Sequence, residues 1–190
     1  MILFDQDLDS DPALNFVSAK RADLRAPSRL PSARSLSRFL SRTQAAVRLR
    51  GQVTVLLTTD SAIRGLNRRF RGKNKSTDVL SFPAESIAGA GEKIAGDLAI
   101  SVPTAARQAS AHGHTLSAEI KVLILHGLLH LAGYDHETDA GRMARRESLL
   151  RARLNLPQGL VERAFQVSAP KSRHSASARP AAVGKRRGRP

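Results

Sequence analysis

Residues 122–136 read Val-Leu-Ile-Leu-His-Gly-Leu-Leu-His-Leu-Ala-Gly-Tyr-Asp-His, and this stretch decides the fold. Its first ten residues, Val122–Leu131, are apolar on nearly every side of a helix, which predicts a helix buried at the centre of the molecule. Thr115 can cap its start, and Gly133 can end it by adopting a positive φ. The apolar run is far shorter than the ~20 residues that span a bilayer, so a membrane helix is not expected.

The same stretch carries a pattern of histidines typical of a metal site. His126 and His130 are four residues apart, so both rings project from one helix face. A sharp turn at Gly133 can bring His136 back beside them. Three imidazoles with a fourth position left open are typical of catalytic zinc sites, and we predict one bound Zn²⁺. Nickel, copper or iron could occupy such a site in vitro, and two buried histidines beside one surface histidine remain the alternative.

This histidine spacing also occurs in metzincin proteases, whose motif is H-E-x-x-H-x-x-G-x-x-H. The glutamate after the first histidine is the general base in those enzymes. Gly127 stands at that position here and has no side chain to accept a proton. Asp135 and Glu119 are the nearest acids, and neither stands at the protease position. Peptide hydrolysis is therefore a disfavoured alternative.

The segments around the central helix alternate between strand and helix patterns. This order predicts a mixed α/β fold: a single domain with an about four-stranded mixed sheet, flanking helices, and a buried central helix that carries the metal ligands. Asp60 is predicted to cap the helix that Gly72 ends. Strands are predicted at 2–4, 53–57, 78–82 and 97–101, helices at about 36–47, 60–72, 103–112, 115–131 and 139–154, and loops at 18–35 and 84–96.

Composition and charge limit the possible partners. The 190 residues include no cysteine, which excludes disulfides and thiolate metal sites, and the formal charge of +15 favours polyanions such as nucleic acid. We expect the domain to cover residues 1–156, followed by a basic, disordered tail at 157–190. No signal peptide is recognisable, because acids follow the short apolar start at once, and a cytoplasmic location is expected.

Three motifs together resemble one protein family. The run His126–His136 looks like the signature of the YbeY family, bacterial endoribonucleases that mature ribosomal RNA. Residues 66–83, which include Phe-Arg-Gly-Lys and Thr-Asp-Val-Leu-Ser-Phe-Pro, resemble its upstream block, and Gly96–Ser101 resembles its Gly-Asp strand. Glu119, Met143 and Glu147 also fall where the family pattern places them. The resemblance covers about residues 50–155.

The resemblance implies a single α/β domain, one zinc ion on the three histidines, and action on RNA. It implies cleavage of single-stranded ribosomal RNA at the 3′ end of the small-subunit RNA, a role in ribosome quality control, and the small ribosomal subunit as partner, with no DNA and no membrane expected. Arg71 matches the family's arginine before Gly-Lys, and its guanidinium could hold the scissile phosphate. A zinc-binding ribosome-assembly factor without catalysis is the main alternative.

Several other polar residues are predicted to serve structure rather than chemistry. Asp78, Asp97 and Ser81 are expected to cap loops or to orient a histidine. His112 and His114 precede the central helix and are expected to be loop residues, not ligands.

Overall fold

The computed structural model describes residues 1–11, 30–84, 93–136 and 138–158. The regular elements within these ranges alternate as the sequence predicts. They are β1 (Ile2–Phe4), α1 (Ala33–Val47), β2 (Gln52–Thr58), α2 (Asp60–Arg71), β3 (Val79–Pro83), β4 (Ile94–Ser101), α3 (Val102–Ala111), α4 (Leu116–Leu131) and α5 (Arg142–Leu154), with a short 3-10 helix at Gln6–Leu8.

The four strands form one mixed sheet in the order β1-β2-β4-β3. The pairs β1–β2 and β2–β4 are parallel, which the crossover helices between them permit, whereas β3 runs antiparallel to β4 at one edge. Val55 faces Leu98 across the parallel pair, and Leu98 faces Ser81 across the antiparallel pair. The predicted α/β class and mixed sheet are confirmed.

Helices cover both faces of the sheet. Alternate strand residues, among them Val55, Leu98 and Ile100, pack under α1 and α4 in the main core, while Leu80 and Ala99 point to the opposite face and pack against Ile63 of α2. The helix α4 is buried on nearly every side, as its apolar composition predicts. Its hydrophobic residues that are no more than 1% exposed are Ile120, Val122, Leu123, Ile124, Leu125, Leu128 and Leu129.

Three predicted boundaries are wrong, each for a local reason. Thr59, not Asp60, caps α2: it has extended backbone angles and its hydroxyl accepts from the Ala62 N–H, while Asp60 is already helical. The strand β4 begins at Ile94 rather than 97, because the sheet pairing continues through a bulge. The last helix begins at Arg142 rather than 139, because the preceding Gly141 adopts a left-handed conformation.

Three predicted segments lie partly outside the described residues. Of the loop predicted at 84–96, residues 85–92 are outside, and β4 begins inside it at Ile94. Of the loop predicted at 18–35, residues 18–29 are outside, and α1 begins inside it at Ala33. The tail predicted at 157–190 is outside beyond residue 158. None of the helices in the described part of the chain is long and apolar enough to cross a membrane.

Candidate metal centre

Three histidine rings converge at the C-terminal end of α4. His126 and His130 lie one turn apart, with ring centroids 4.8 Å apart and Nε2 atoms 3.1 Å apart. Gly133 takes a φ of +84°, and the Tyr134 N–H donates to the Leu129 carbonyl at 3.0 Å, which folds the chain back over the helix end. This turn places the His136 ring 5.4 Å from His130 and 5.7 Å from His126. The predicted convergence is therefore present.

The donor set fits a metal ion such as zinc. One ring nitrogen from each histidine lies within 4.8 Å of the other two. A tetrahedral zinc ion with bonds of about 2.0–2.1 Å separates its nitrogen ligands by about 3.3 Å, close to the 3.1 Å between the Nε2 atoms of His126 and His130. His136 is exposed and would have to approach slightly, which its position on a turn allows.

The protonation state of His130 also suits a ligand. Burial lowers the pKa of His130 below its usual range, and the neighbouring rings of His126 and His136 lower that pKa further. The charge of Asp135 and a hydrogen bond from the His130 ring to the backbone of Tyr134 oppose this shift without reversing it. Because this pKa is lowered, the His130 imidazole is neutral at neutral pH. The neutral imidazole is the form that binds a metal.

A buried carboxylate orients the first of the three histidines. The Nδ1–H of His126 donates to Glu147 Oε2 at 3.0 Å, so its Nε2 lone pair is directed toward the cluster. The other oxygen, Oε1, accepts from Arg151 Nε at 2.8 Å and also from its Nη2. Burial acts to raise the pKa of Glu147, but the hydrogen bond and charge of His126 and the charge of Arg151 lower it overall. Glu147 is therefore an ionised group inside the protein.

Sequence reasoning placed Glu147 in the family pattern but gave it no role. One feature of the sequence could have indicated a role, because Glu147 is the only acid in α5, a helix with five arginines. It also shares a buried helix face with Met143, Leu150 and Arg151. A charged pair four residues apart on a buried face points to a partner on another element, and that partner is His126.

Gly127 explains why the protease base is missing. A Cβ at this position would lie 2.7 Å from Leu98 Cδ2 and 3.3 Å from Ser81 Oγ, because α4 presses directly on the sheet here. The Ser81 hydroxyl lies 3.5 Å from the Gly127 carbonyl oxygen on the same contact. A glutamate side chain at position 127 would therefore point into the packed sheet and not toward the histidines.

Arg71 is not in contact with the three histidines. It is exposed at the end of α2, which packs on the sheet face opposite to α4. The neighbouring Phe70 ring meets Phe82 of β3 edge-on at 5.1 Å, and Ser81, next in that strand, contacts Gly127. The edge strand β3 thus lies between α2, whose last residue is Arg71, and α4, which carries His126 and His130.

The remaining polar candidates have structural partners. Asp78 accepts from the Val79 N–H and from Gln108 Nε2 at 2.9 Å, which ties β3 to α3. Glu119 is fully buried and pairs with His114, while the His112 ring bonds the Gln108 carbonyl. Glu119 also precedes His126 by two helical turns, so it is not a base at the cluster.

Asp97 and Asp135 take different positions. Asp97 is exposed on β4, where it is paired in register with Phe82 and Thr54. Asp135 lies in the turn before His136, where its carboxylate accepts from the Thr138 hydroxyl. Among the described residues, only the three histidines form a group of three or more potential metal ligands this close together.

The fold and the site define an α/β protein with an open three-histidine cluster that can hold one metal ion. The family model described as Endoribonuclease YbeY matches residues 28–155, and the chain belongs to this family.

Curated relatives agree with this assignment. An "Endoribonuclease YbeY" from Koribacter versatilis is 55% identical over 132 residues, covering 70% of this chain and 84% of the relative. A protein of the same name from Solibacter usitatus is 49% identical over 156 residues, covering 81% of this chain and 97% of the relative. The solution structure of TM1509 from Thermotoga maritima aligns with 94% of this chain and all of its own at 20% identity and a TM-score of 0.43, which is too low to carry an argument.

Proposed function

We propose that this protein is a zinc-dependent endoribonuclease that cleaves single-stranded ribosomal RNA. The observation that carries the proposal is the convergence of His126, His130 and His136, with His126 held by the buried Glu147, in a chain whose relatives are named endoribonucleases. The reaction would serve maturation of the small-subunit RNA at its 3′ end and ribosome quality control, in the cytoplasm and on the small ribosomal subunit.

Each part of the site has a distinct task in this proposal. His126, His130 and His136 would hold one Zn²⁺, which when bound supplies Lewis acidity toward a phosphoryl group. Glu147 fixes the ring orientation and tautomer of His126. Arg71 is exposed at the end of α2, beside the edge strand β3, and makes no hydrogen bond or ion pair with another described residue. Its guanidinium fork would bind the scissile phosphate of an RNA that passes around that edge of the sheet from the histidines.

Charge and packing favour RNA over a peptide as substrate. The chain carries a formal charge of +15, and the last turn of α2 alone holds Arg68, Arg69 and Arg71. The contact of Gly127 with Leu98 leaves no room for a protease-type glutamate. The catalytic domain would span residues 1–156, and the basic segment 157–190 would add phosphate contacts that weaken with salt.

Cleavage of a single-stranded ribosomal RNA fragment tests the proposal. Wild-type protein would be compared with His130→Ala, which removes a ligand, and with His112→Ala, which removes an exposed histidine outside the cluster. We expect the wild type and His112→Ala to bind zinc and cleave, and His130→Ala to do neither. Equal cleavage by wild type and His130→Ala, or none by wild type, would favour a non-catalytic assembly factor in which zinc supports the fold.

A further inference from the structure

The helices α1 and α5 together present a strongly basic surface. They lie side by side, since Arg146 Nη2 of α5 donates to the Ala46 carbonyl of α1 at 2.9 Å. Both turn their buried residues, such as Leu36 and Leu150, into the main core, so their other sides face solvent. We call the exposed arginines on these two helices the arginine face. They are Arg34, Arg38, Arg42, Arg142, Arg145 and Arg153.

Acidic side chains do not neutralise this surface. The helix α1 contains no acid, and the only acid in α5 is Glu147, which is buried against His126 and Arg151. None of the six arginines forms an ion pair with another residue that the structure describes. Unneutralised like charges on one surface disfavour the compact protein alone and favour a polyanionic partner.

The spacing on α1 fits a ligand with regularly repeated charges. Arg34, Arg38 and Arg42 are separated by four residues each, so successive guanidinium groups start about 6 Å apart along one side of the helix. All three are exposed, opposite the buried stripe that includes Leu36 and Leu40. Guanidinium groups bind phosphate oxygens through two parallel hydrogen bonds, so a phosphate backbone matches this row better than isolated carboxylates do.

The arginine face continues from the candidate metal centre. The helix α5 begins at Arg142, six residues after His136, and its buried side supplies Glu147 to His126. A single-stranded RNA bound at the histidines can therefore pass over the start of α5 and reach α1 without crossing the sheet. Arg71, in contrast, lies on α2 against the other face of the sheet.

We propose that the arginine face is a second, sequence-independent binding surface for the RNA backbone, separate from the cleavage site and from Arg71. This inference rests on the proposed ribonuclease function. It assigns to α1 and α5 the task of holding the part of a long RNA that extends beyond the histidines, and it does not involve them in the chemical step.

The test is the salt dependence of RNA binding by the triple variant Arg34→Gln/Arg38→Gln/Arg42→Gln. Binding of a long and a short single-stranded RNA would be measured in the His130→Ala background, so that no RNA is cut. The binding constant K falls as salt rises, and each phosphate contact contributes about 0.7 to the steepness of log K against log salt for single strands. Losing three contacts should therefore make the plot less steep by about 2. A fourfold rise in salt would then reduce the affinity of the parent by about 16-fold more than that of the variant. The effect is expected for the long RNA only.

Two control variants separate local contact from general charge. The triple Arg→Lys variant at the same positions keeps the charge and should keep the slope. The double variant Arg64→Gln/Lys75→Gln removes exposed cations on the α2 side of the sheet and should not produce a difference between long and short RNA. Circular dichroism checks that each variant is folded, which is expected because all of these positions are exposed.

The outcomes distinguish this inference from the proposed function. An unchanged slope in the triple Gln variant, or an equal loss in the α2-side control, would overturn the second surface. Arginine-dependent binding of polyglutamate without any such effect on RNA would overturn it in favour of an acidic protein partner. If wild type cleaves no RNA but the long-RNA slope still falls as expected, the ribonuclease proposal fails and the binding surface stands. Cleavage of the short RNA should be the same in the wild type and the triple Gln variant.

Discussion

Replacing Glu147 with Gln converts the carboxylate next to the candidate metal ligand His126 into a neutral amide. The glutamine keeps the volume of the side chain and an oxygen that can accept from His126 Nδ1, but it removes the negative charge 3.0 Å from the ring. Groups that orient a metal ligand in this way contribute about 10–100-fold to metal affinity, or about 1.4–2.7 kcal/mol. We therefore expect Zn²⁺ to bind about 10–100-fold more weakly to Glu147→Gln.

The same substitution affects stability through Arg151. This arginine is buried beside Glu147, so removing the carboxylate leaves a cation without its counter-charge. Breaking a buried ion pair costs about 3–5 kcal/mol, a large part of the ~5–15 kcal/mol that usually stabilises a domain. The double variant Glu147→Gln/Arg151→Met removes the stranded charge and should recover most of this loss, while His126 still lacks its carboxylate.

The pH dependence of stability has a defined sign. Because His126 and Arg151 lower the pKa of Glu147 in the folded protein, its ionised form stabilises the fold above its usual value of 4.5. That contribution is lost as the pH falls through the lowered folded-state pKa. The Glu147→Gln variant should therefore lose less stability than wild type on acidification below pH 4.5, as measured by thermal unfolding without metal.

Zinc competition with a chromophoric chelator at neutral pH measures the affinity effect. Glu119→Gln is the matched control, because Glu119 is also a buried glutamate paired with a histidine, His114, that is outside the cluster. The control should lower stability and leave zinc affinity unchanged. The reasoning would be refuted if the folded Glu147→Gln/Arg151→Met variant bound zinc as tightly as wild type, or if Glu119→Gln weakened zinc binding equally.

Three further predictions concern the contact of α4 with the sheet, the proposed phosphate contact of Arg71 and the candidate metal ligand His130. Gly127→Ala should lower the free energy of unfolding by about 1–3 kcal/mol, because the added methyl would lie 2.7 Å from Leu98 Cδ2. Adding Leu98→Ala should remove this clash. An unchanged melting temperature in the single variant would contradict the close packing. Arg71→Ala should lower kcat for RNA cleavage by about 10²–10³-fold with little change in RNA affinity, and Arg71→Lys should recover only part of it; full turnover in Arg71→Ala would exclude the role. Because burial and the neighbouring rings lower the pKa of His130, protons should compete with zinc at this residue only below about pH 6.5. Zinc affinity would be titrated against pH. Competition at His130 above neutral pH would be inconsistent with the lowered pKa.

Local sequence patterns were sufficient for most of the elements and for the clustering of the three histidines. The uninterrupted apolar run in α4 can only be accommodated inside a core, so its burial follows from composition alone. The four-residue spacing of His126 and His130 and the positive φ available at Gly133 fix the three-histidine arrangement, because helix geometry and glycine conformation act over a few residues. Boundaries were less certain, as at Asp60, since neighbouring Thr59 competes for the same capping role.

Only the tertiary structure decided which distant groups meet. The contact of Glu147 with His126 joins residues 21 positions apart on two helices, and the orientation of α5 that permits it depends on packing against α4. The approach of Gly127 to Leu98, which explains the missing protease base, likewise depends on how closely a helix rests on the sheet. The contact of α1 with α5 through Ala46 and Arg146 is of the same kind. Periodicity determines which face of an element is apolar, whereas the choice of neighbour for that face is made by the shape and packing of the whole core.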